Sequence, residues 1–288
     1  MVYQIFQTGR NADLPYMGRY RLLYFQRGKH MQDYLSGNLY HNTAVYYDYD
    51  NREIVKDDLD FYTEYANSTS GPILELASGT GRVSLYIAEK TGRTLECIEL
   101  SAQMLDVFTE KLKTFPPDLQ KKIHIHKGDM SNFSLGQKFE YIIIPWRALQ
   151  FLPVQEKTEN CLNCVYNHLS DNGIFVFAIF KPRTYDEEWI GKEDISYDIV
   201  NGDKRIIRST VNHYADTVKK YIQYKNIIRV IENGTETVKE DLHTAKYYEY
   251  NDIVNILKQL KFKIKEEYGY YDKRSIKDGE EMIFVCTK

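Results

Sequence analysis

The stretch ILELASGTGRVSLYIAEK, Ile73–Lys90, contains a strand pattern, a glycine turn and a helix pattern in immediate succession. Ile73–Leu76 is short and almost entirely apolar, which is typical of a strand buried on both faces of a sheet. The turn ASGTG, residues 77–81, carries little side-chain bulk, and small residues let a backbone approach another group closely. The stretch therefore predicts a strand–turn–helix unit whose turn lies close to a bound group.

The same alternation of apolar runs and amphipathic segments continues to Phe180. Short buried strands separated by helices indicate an α/β fold with a doubly wound, mostly parallel sheet and right-handed crossovers. The predicted strands are Ile73–Leu76, Thr94–Leu100, Ile123–His126, Tyr141–Ile144 and Ile174–Phe180, and the predicted helices are Gly81–Lys90, Ala102–Lys113 and Glu156–Leu169.

The pattern changes after Lys181-Pro182. Residues 194–248 contain no strong helix pattern, whereas residues 218–230 alternate with a period of two. The Asn-Gly pairs at 201–202 and 233–234 are typical of β-hairpins, because both residue types tolerate positive φ. These features predict an antiparallel β-meander inserted into the α/β domain.

Helical spacing returns near the C-terminus, where Asn251 is the predicted N-cap of a helix. Two further strand patterns follow, one starting at Phe262 and one covering Met282–Cys286. They predict an antiparallel hairpin at the edge of the sheet. The expected fold is therefore a seven-stranded, Rossmann-like sheet with an antiparallel C-terminal hairpin.

Composition and charge argue against several classes of protein. The net charge of −3 offers no strong attraction to nucleic acid or to an anionic membrane. The N-terminus lacks the pattern of a secretory signal, and no apolar run approaches the roughly 20 residues needed to cross a bilayer. Four cysteines in 288 residues favour a reducing compartment. We therefore expect a cytoplasmic protein that binds neither nucleic acid nor membrane.

Three classes of ligand commonly bind at a strand–glycine turn–helix unit. A phosphate-binding P-loop requires Gly-Lys-Ser/Thr, but Gly81 is followed by Arg82. A dinucleotide site favours a third glycine where this chain has Ser84, so the match is poor. S-adenosylmethionine carries no phosphate and needs an acid in the first strand and a carboxylate at the end of the second. Glu75 and Glu99 meet these two requirements.

Four segments, in order from Ile73 to Phe180, resemble the motifs of class I S-adenosylmethionine-dependent methyltransferases. They are LELASGTGR, IELSAQML, HKGDMSNFSLGQKFEYIIIP and LSDNGIFVF. The usual first glycine of the turn is Ala77 here, and its methyl group is expected to cost little. The layout is also similar to small-molecule N-methyltransferases, including the sugar N,N-dimethyltransferases of antibiotic biosynthesis, which insert a meander after the fifth strand.

The resemblance implies that S-adenosylmethionine is the cofactor. Glu99 would hold its ribose and Asp129 its adenine amine. Arg82 either approaches the cofactor carboxylate or begins a helix as a solvated charge. Tyr47 lies in an aromatic run, Tyr46–Tyr49, that either closes over the cofactor or packs N-terminal helices. The other implied cofactor residues are Glu75, Ala77, Ser78, Gly79 and Gly81 at the methionine moiety, Met104 and Met130 at the adenine, and Leu100 and Pro145 beside them.

The loop after the fourth strand, Pro145–Gln150, should border both cofactor and acceptor, because ligands of doubly wound sheets lie beyond the carboxyl ends of the strands. Trp146 either walls the acceptor pocket or belongs to the core. Arg147 either pairs with a carboxylate of the acceptor or cofactor or is a surface charge. Several relatives have a histidine where this chain has Gln150, which cannot act as a base. The remaining sources of a base are Tyr20, Tyr24, His41 and the meander, so the catalytic candidates are Trp146, Arg147 and Tyr20.

Together these features predict a methyltransferase, monomeric or homodimeric, that methylates a small-molecule acceptor, at nitrogen rather than oxygen. Its parts would be an N-terminal helical lid (1–70), a cofactor-binding domain (71–181 and 249–288) and an inserted β subdomain (182–248). No metal site is expected, because Cys161-x-x-Cys164 has no second pair or His at zinc spacing, and Cys161 shares a helical face with Val165 and Leu169 that suits the core. The alternatives are a non-catalytic S-adenosylmethionine-binding protein, an NAD(P)-dependent oxidoreductase and a methyltransferase acting on a macromolecule.

Overall fold

A seven-stranded sheet forms the centre of the protein. The computed structural model describes residues 39–185 and 188–288, and strands are numbered β1–β11 in chain order. The strands of this sheet are β1 (Ile73–Leu76), β2 (Leu95–Glu99), β3 (Ile123–Lys127), β4 (Phe139–Ile144), β5 (Leu169–Phe180), β10 (Lys263–Tyr268) and β11 (Glu281–Thr287). Their order is β10-β11-β5-β4-β1-β2-β3. Strands β1–β5 pair in parallel, whereas β11 pairs antiparallel with both β5 and β10. The predicted sheet and its C-terminal edge hairpin are confirmed.

Helices connect these strands in the described part of the chain. They are α1 (Asp57–Asn67), α2 (Arg82–Thr91), α3 (Ala102–Leu112), α4 (Pro117–Gln120), α5 (Gln155–His168) and α6 (Tyr250–Gln259), with short 3₁₀ turns at Ala44–Tyr49, Glu53–Val55 and Ala148–Phe151. Helix α3 begins where the side chain of Ser101 accepts a hydrogen bond from the backbone of Met104, a standard N-cap.

Hydrophobic layers cover both faces of the sheet. In β1, Leu74 and Leu76 pack with α5 and α6 on one face, while Ile73 packs with α1, α2 and α3 on the other. All four residues of β1 are buried, which explains why the strand is apolar at every position except Glu75. That exception lies in the candidate site.

The order of the strands creates a crevice. From β1 the chain proceeds outward to β2 and β3, and then returns to β4 on the other side of β1. The segments that follow β1 and β4 therefore separate at the carboxyl ends of these neighbouring strands. Doubly wound sheets bind their ligands at such a switch point.

A second sheet is inserted between β5 and α6. Its strands are β6 (Glu193–Asn201), β7 (Lys204–Asp216), β8 (Tyr221–Glu232) and β9 (Thr235–Lys246), paired antiparallel in that order. The predicted meander is therefore confirmed. Strand β8 begins three residues later than the period-two pattern, because residues 218–220 belong to the turn before it, and it extends to Glu232.

The two hairpins with Asn-Gly pairs differ from each other. Asn233 and Gly234 both have positive φ, as predicted. In the first hairpin, however, Asn201 is paired with Lys204 in the ladder, and the turn is formed by residues 202–203. Positive φ is then required only at Gly202, the residue that accepts it without strain.

The predicted cap of α6 is wrong by two residues. Glu249, and not Asn251, is the N-cap, and it forms a capping box with Asp252. The Glu249 amide donates to Asp252 Oδ2 over 2.9 Å, so a reciprocal pair of carboxylates satisfies the helix start. A single-residue propensity for the cap position does not reveal this reciprocal contact.

The N-terminal lid stays a prediction, because residues 1–38 lie outside the described residues. Within residues 39–70, helix α1 packs on the sheet, where Phe61 and Tyr62 are buried together with residues of α2.

Candidate active site

The turn after β1 contains three residues with positive φ: Ala77 (56°), Gly79 (57°) and Gly81 (76°). An added Cβ at Gly79 would meet no heavy atom within 4 Å, so the bare backbone there borders open space. At Gly81 an added Cβ would lie 2.1 Å from the ring of Phe108, so this glycine lets α3 pack against the turn. The left-handed conformation of Ala77 costs a non-glycine residue roughly 1–2 kcal/mol, more than the small cost expected of its methyl group.

The carboxyl ends of β1, β2, β3 and β4 surround one cavity, with about 870 Å³ of empty space that is partly open to solvent. Except for Gly81, every residue that the sequence analysis assigned to the cofactor lines it: Tyr47, Glu75, Ala77, Ser78, Gly79, Arg82, Glu99, Leu100, Met104, Asp129, Met130 and Pro145.

Glu99, the last residue of β2, is tied to the glycine turn. Its Oε2 accepts a hydrogen bond from the Gly79 amide (2.9 Å), and its Oε1 accepts one from the Ser101 amide (2.8 Å). Burial raises the pKa of Glu99, and these backbone donors partly offset that rise. Each oxygen keeps a second lone pair for a further donor.

Asp129, which follows β3, is held as a carboxylate. Its Oδ1 accepts hydrogen bonds from the Ser131 amide (2.8 Å) and hydroxyl (2.7 Å), and its Oδ2 lies 3.1 Å from Lys157 Nζ. Burial raises its pKa, but the donors of Ser131 and the Lys157 ammonium outweigh this and leave the pKa below its ordinary value.

Glu75 has the opposite electrostatic environment. It is 1% exposed, it accepts a hydrogen bond from the Ser84 hydroxyl, and this hydroxyl lies 3.0 Å from Cys97 Sγ. Burial raises the pKa of Glu75 to about 8, although the Ser84 hydrogen bond and the Arg82 charge oppose the rise. Ser84, which stands where a dinucleotide fold has its third glycine, therefore holds the buried acid of β1.

Arg82 is neither solvated nor free. Its two terminal nitrogens each lie 2.6 Å from an oxygen of Asp58 on α1, and Nη1 also donates to the Val55 carbonyl over 2.6 Å. Asp58 is fully buried, so this pair joins α1 to the wall of the cavity. The solvated-charge interpretation of Arg82 is therefore wrong.

The loop after β4 contains two successive left-handed residues, Trp146 (φ 51°) and Arg147 (φ 65°). Trp146 lines the cavity, whereas Arg147 does not. Arg147 instead pairs with Glu281, the first residue of β11, with Nε 2.8 Å from Oε1. Arg147 is therefore half-buried in an ion pair, and is neither a solvated surface charge nor free to pair with a carboxylate of the acceptor or cofactor.

An aromatic segment, residues 39–50, lies between the cavity and the inserted sheet. Tyr47 lines the cavity, while Tyr46 and Tyr49 pack against the cluster around Tyr197 on the inserted sheet. The Tyr197 hydroxyl also donates to the Tyr46 carbonyl over 2.7 Å. Tyr47 therefore belongs to the cavity, whereas Tyr46 and Tyr49 belong to the contact with the inserted sheet, a division that the sequence analysis did not predict.

Two carboxylates anchor this aromatic segment. Asp48 accepts hydrogen bonds from Thr80 Oγ1 in the glycine turn (2.7 Å) and from Lys111 Nζ on α3 (2.7 Å). From the other side, Asp241 of β9 accepts one from Thr43 Oγ1 (2.6 Å). The segment is therefore hydrogen-bonded to the glycine turn and α3 on one side and to the inserted sheet on the other.

Gln150 joins the inserted sheet to the central sheet. It is 1% exposed, its Nε2 donates to the Lys246 carbonyl (3.1 Å), and its Oε1 accepts from the Phe180 amide (2.7 Å). It does not line the cavity. Gln150 therefore has a structural role, since its side chain joins the two sheets.

The candidate bases are scattered. Tyr20 and Tyr24 lie outside the described residues, and His41 is exposed. In the meander, His243 is 1% exposed, and its ring centroid is 4.6 Å from that of Tyr40, which lines the cavity.

The sequence analysis missed several residues of the cavity wall. They are Leu39, Tyr40, Thr80, Val83, Ile98, Gly128, Ala148 and Phe151. All but Leu39, Tyr40 and Phe151 lie in segments that the sequence analysis quoted without assigning these residues to the site. The other three come from outside those segments and are brought to the wall by the fold.

Cys161 is buried in the core on α5, while Cys164 is partly exposed. Among the described residues, no group of three or more His, Cys, Asp or Glu side chains is arranged to hold a metal. No helix in the described ranges has the length and apolar character to span a membrane.

Comparisons with known proteins agree with this geometry. Residues 73–173 match the family model of a methyltransferase domain. The chain is 28% identical over 142 residues to dTDP-3-amino-3,4,6-trideoxy-alpha-D-glucopyranose N,N-dimethyltransferase of Streptomyces venezuelae, which covers 49% of this chain and 54% of that protein. The chain thus spans about half the length of this curated relative.

Solved structures extend the similarity of the fold to most of the chain. Streptomyces venezuelae DesVI has a TM-score of 0.64 at 18% identity, covering 96% of this chain and 99% of that one. CalS10 of Micromonospora echinaspora, an amino pentose methyltransferase solved with S-adenosylmethionine, has a TM-score of 0.63 at 15% identity, with the same coverage of 96% and 99%. These findings show a methyltransferase domain at residues 73–173, which include the glycine turn, and a fold that most of the chain shares with solved methyltransferases.

Proposed function

We propose that the chain transfers the methyl group of S-adenosylmethionine to an amine nitrogen of a small molecule. The observation that carries the proposal is the bare turn at Gly79, which borders the same cavity as the carboxylates of Glu99 and Asp129. Nitrogen as the target is supported by two of the proteins above, one named an N,N-dimethyltransferase and the other an amino pentose methyltransferase.

The side chains of the cavity suit an adenosyl group with a charged methionine end. Glu99 has free lone pairs for two ribose hydroxyls, and Asp129 can accept a hydrogen bond from an exocyclic amine. Met104 and Met130 supply adaptable apolar surface for a flat base. The open space at Gly79 admits a ligand to within contact of the backbone, with Glu75 as a buried acid nearby.

When bound, S-adenosylmethionine supplies a methyl group that is already activated by its sulfonium. The chain has to hold the acceptor lone pair in line with that group and exclude water, and such positioning contributes as much as roughly 7–11 kcal/mol. Aromatic walls suit this task, because a tyrosine face beside a cation contributes about 0.5–2 kcal/mol. A base is required only for an amine that arrives protonated. The aromatic walls are Tyr40, Tyr47, Trp146 and Phe151.

Calorimetric titration with S-adenosylhomocysteine tests the cofactor site. We expect the unaltered protein to bind it and Glu99→Gln to bind at least about tenfold more weakly, because a hydrogen bond to a charged group contributes about 1.5–3 kcal/mol. Glu96→Gln is the matched control. Glu96 lies on the same strand, but it is hydrogen-bonded to His124 (2.8 Å) and His126 (2.5 Å) away from the cavity. Absence of binding at millimolar ligand, or equal weakening in both variants, would contradict the proposal.

Incubation with donor labelled in its methyl group and a panel of small amines and alcohols tests the reaction. We expect the label in an N-methyl product.

A second candidate is a non-catalytic S-adenosylmethionine-binding protein. This candidate is favoured by Gln150, which joins the two sheets and cannot act as a base. Binding without any labelled product would support this second candidate. Label found only on peptide or protein would indicate a macromolecular acceptor, and binding of NAD(P) alone would indicate an oxidoreductase.

A further inference from the structure

Two guanidinium groups converge on the indole of Trp146. Arg82 Cζ lies 5.3 Å from the indole centroid, and Arg147 Cζ lies 5.7 Å from it. Each guanidinium is itself fixed by a carboxylate, Asp58 for Arg82 and Glu281 for Arg147. The ring that lines the cavity is therefore held through cation–π contacts by two ion pairs from different elements.

The backbone of this loop depends on such support. Trp146 and Arg147 both adopt left-handed conformations, which persist in bulky residues only where the surroundings hold them. Glu281 is well placed to hold them, because it is 2% exposed and is paired with Phe180 in the ladder between β5 and β11. Arg147 thus connects a strained loop to a rigid strand.

Stability alone gives a weak reason for this arrangement. Desolvation of both charges offsets much of the attraction in a buried ion pair, and apolar replacements are often neutral or stabilising. The pair does, however, restrict the direction of the guanidinium, because Nε and Nη2 of Arg147 both donate to the same oxygen, Glu281 Oε1. A guanidinium restricted by two hydrogen bonds can hold the aromatic wall beside it in place.

We propose that Glu281 is a positioning residue of the methyl transfer: through Arg147 it holds the Trp146 indole at the cavity wall and so sets the place of the acceptor. The expected change in kcat rests on the proposed function. The position of the indole is independent of that function and can be measured on the protein alone.

The test uses Trp189→Phe as the parent, because the chain has two tryptophans and Trp146 is then the sole tryptophan, which can be excited at the long-wavelength edge where the tyrosines do not absorb. Adding Glu281→Gln should raise the acrylamide quenching constant of Trp146 about twofold. It should also lower kcat about tenfold while the KM for the methyl donor stays within about twofold, since displacements of about 1 Å cost up to a hundredfold in rate.

A double-mutant cycle decides whether Glu281 acts through Arg147. In the Arg147→Met background, Glu281→Gln should add nothing to either readout, because the link is already absent. Asp198→Asn is the matched control, since it breaks the exposed ion pair with Arg205 (2.5 Å) on the inserted sheet and should change neither readout.

Unchanged quenching and kcat in Glu281→Gln would overturn the inference, and so would an undiminished effect in the Arg147→Met background. A lower melting temperature without a change in quenching would equally count against it. If Glu281→Gln does not fold, Glu281→Asp retains the charge with a shorter reach and should give intermediate quenching. If the parent methylates no acceptor, the proposed function fails, and the quenching data alone decide the positioning role.

Discussion

At the scale of single residues, three acids of one cavity differ in the shift of their pKa because their partners differ. Glu75 has one hydroxyl donor and full burial, so its pKa is raised to about 8. The pKa of Glu99 is also raised by burial, although backbone amides oppose the rise. Burial acts on Asp129 as well, but Ser131 and Lys157 bring its pKa below the ordinary value. Sequence spacing located these acids without revealing their charge states.

The protonation of Glu75 makes stability depend on pH. The ordinary carboxyl value is 4.5, so between about pH 4.5 and 8 the folded state holds a proton that the unfolded chain has lost. The stabilisation from this group is full below that interval and is lost as the pH rises through it. We expect Glu75→Gln, which does not titrate, to gain stability relative to the unaltered protein as the pH rises from 5 to 8. Urea unfolding of ligand-free protein at several pH values measures this difference, and a constant difference would show that Glu75 is ionised throughout.

At the scale of elements, the two glycines of one turn have separate tasks. Gly79 leaves space for a ligand, whereas Gly81 leaves space for the Phe108 ring of α3. A motif treats both positions alike, because it records only the absence of a side chain. The packing of a later helix decides which glycine faces the cavity.

Gly81→Ala should therefore destabilise the protein by about 2–5 kcal/mol, the sum of a left-handed backbone cost and overpacking against Phe108. Gly136→Ala is the matched control, because Gly136 also has positive φ (66°) but an added Cβ there would meet nothing within 4 Å. It should cost only about 1 kcal/mol. Denaturant unfolding compares the two variants, and equal losses would show that contact with Phe108 is relieved by local movement.

The start of α6 gives a second prediction at this scale. Glu249→Ala should destabilise the protein by about 1 kcal/mol, because it removes the N-cap of the capping box. Asn251→Ala, two residues further on, should have little effect. Thermal unfolding of both variants checks the assignment, and the reverse order of losses would return the cap to Asn251.

At the scale of the whole molecule, the aromatic segment couples the inserted sheet to the cofactor side of the cavity. Asp241 on β9 accepts hydrogen bonds from the Asn42 amide (3.2 Å) and from Thr43 Oγ1 (2.6 Å). At the other end of the segment, Asp48 binds Thr80 in the glycine turn. A residue of the insertion, remote in sequence from the motifs, therefore helps to place Tyr47.

Asp241→Ala should weaken binding of S-adenosylhomocysteine by up to about tenfold, because the loss of hydrogen bonds to a charged group releases one end of the segment that carries Tyr47. Asp198→Ala, on the same sheet but paired only with exposed Arg205 among the described residues, should leave binding unchanged. Calorimetry on both variants provides the comparison. Equal affinities for Asp241→Ala and the unaltered protein would show that the segment keeps its place without the inserted sheet.

The sequence by itself determined the succession of strands and helices along the chain, the glycine turn, the inserted meander and most of the cavity residues. These features depend on local patterns, such as apolar periodicity and the conformational freedom of glycine, which are readable from neighbouring residues. Only the tertiary structure decided the partners: Asp58 for Arg82, Glu281 for Arg147, Phe108 for Gly81 and Tyr40 in the wall. Such contacts join segments far apart in the chain, so no local pattern encodes them, and they arise only when the whole fold brings those segments together.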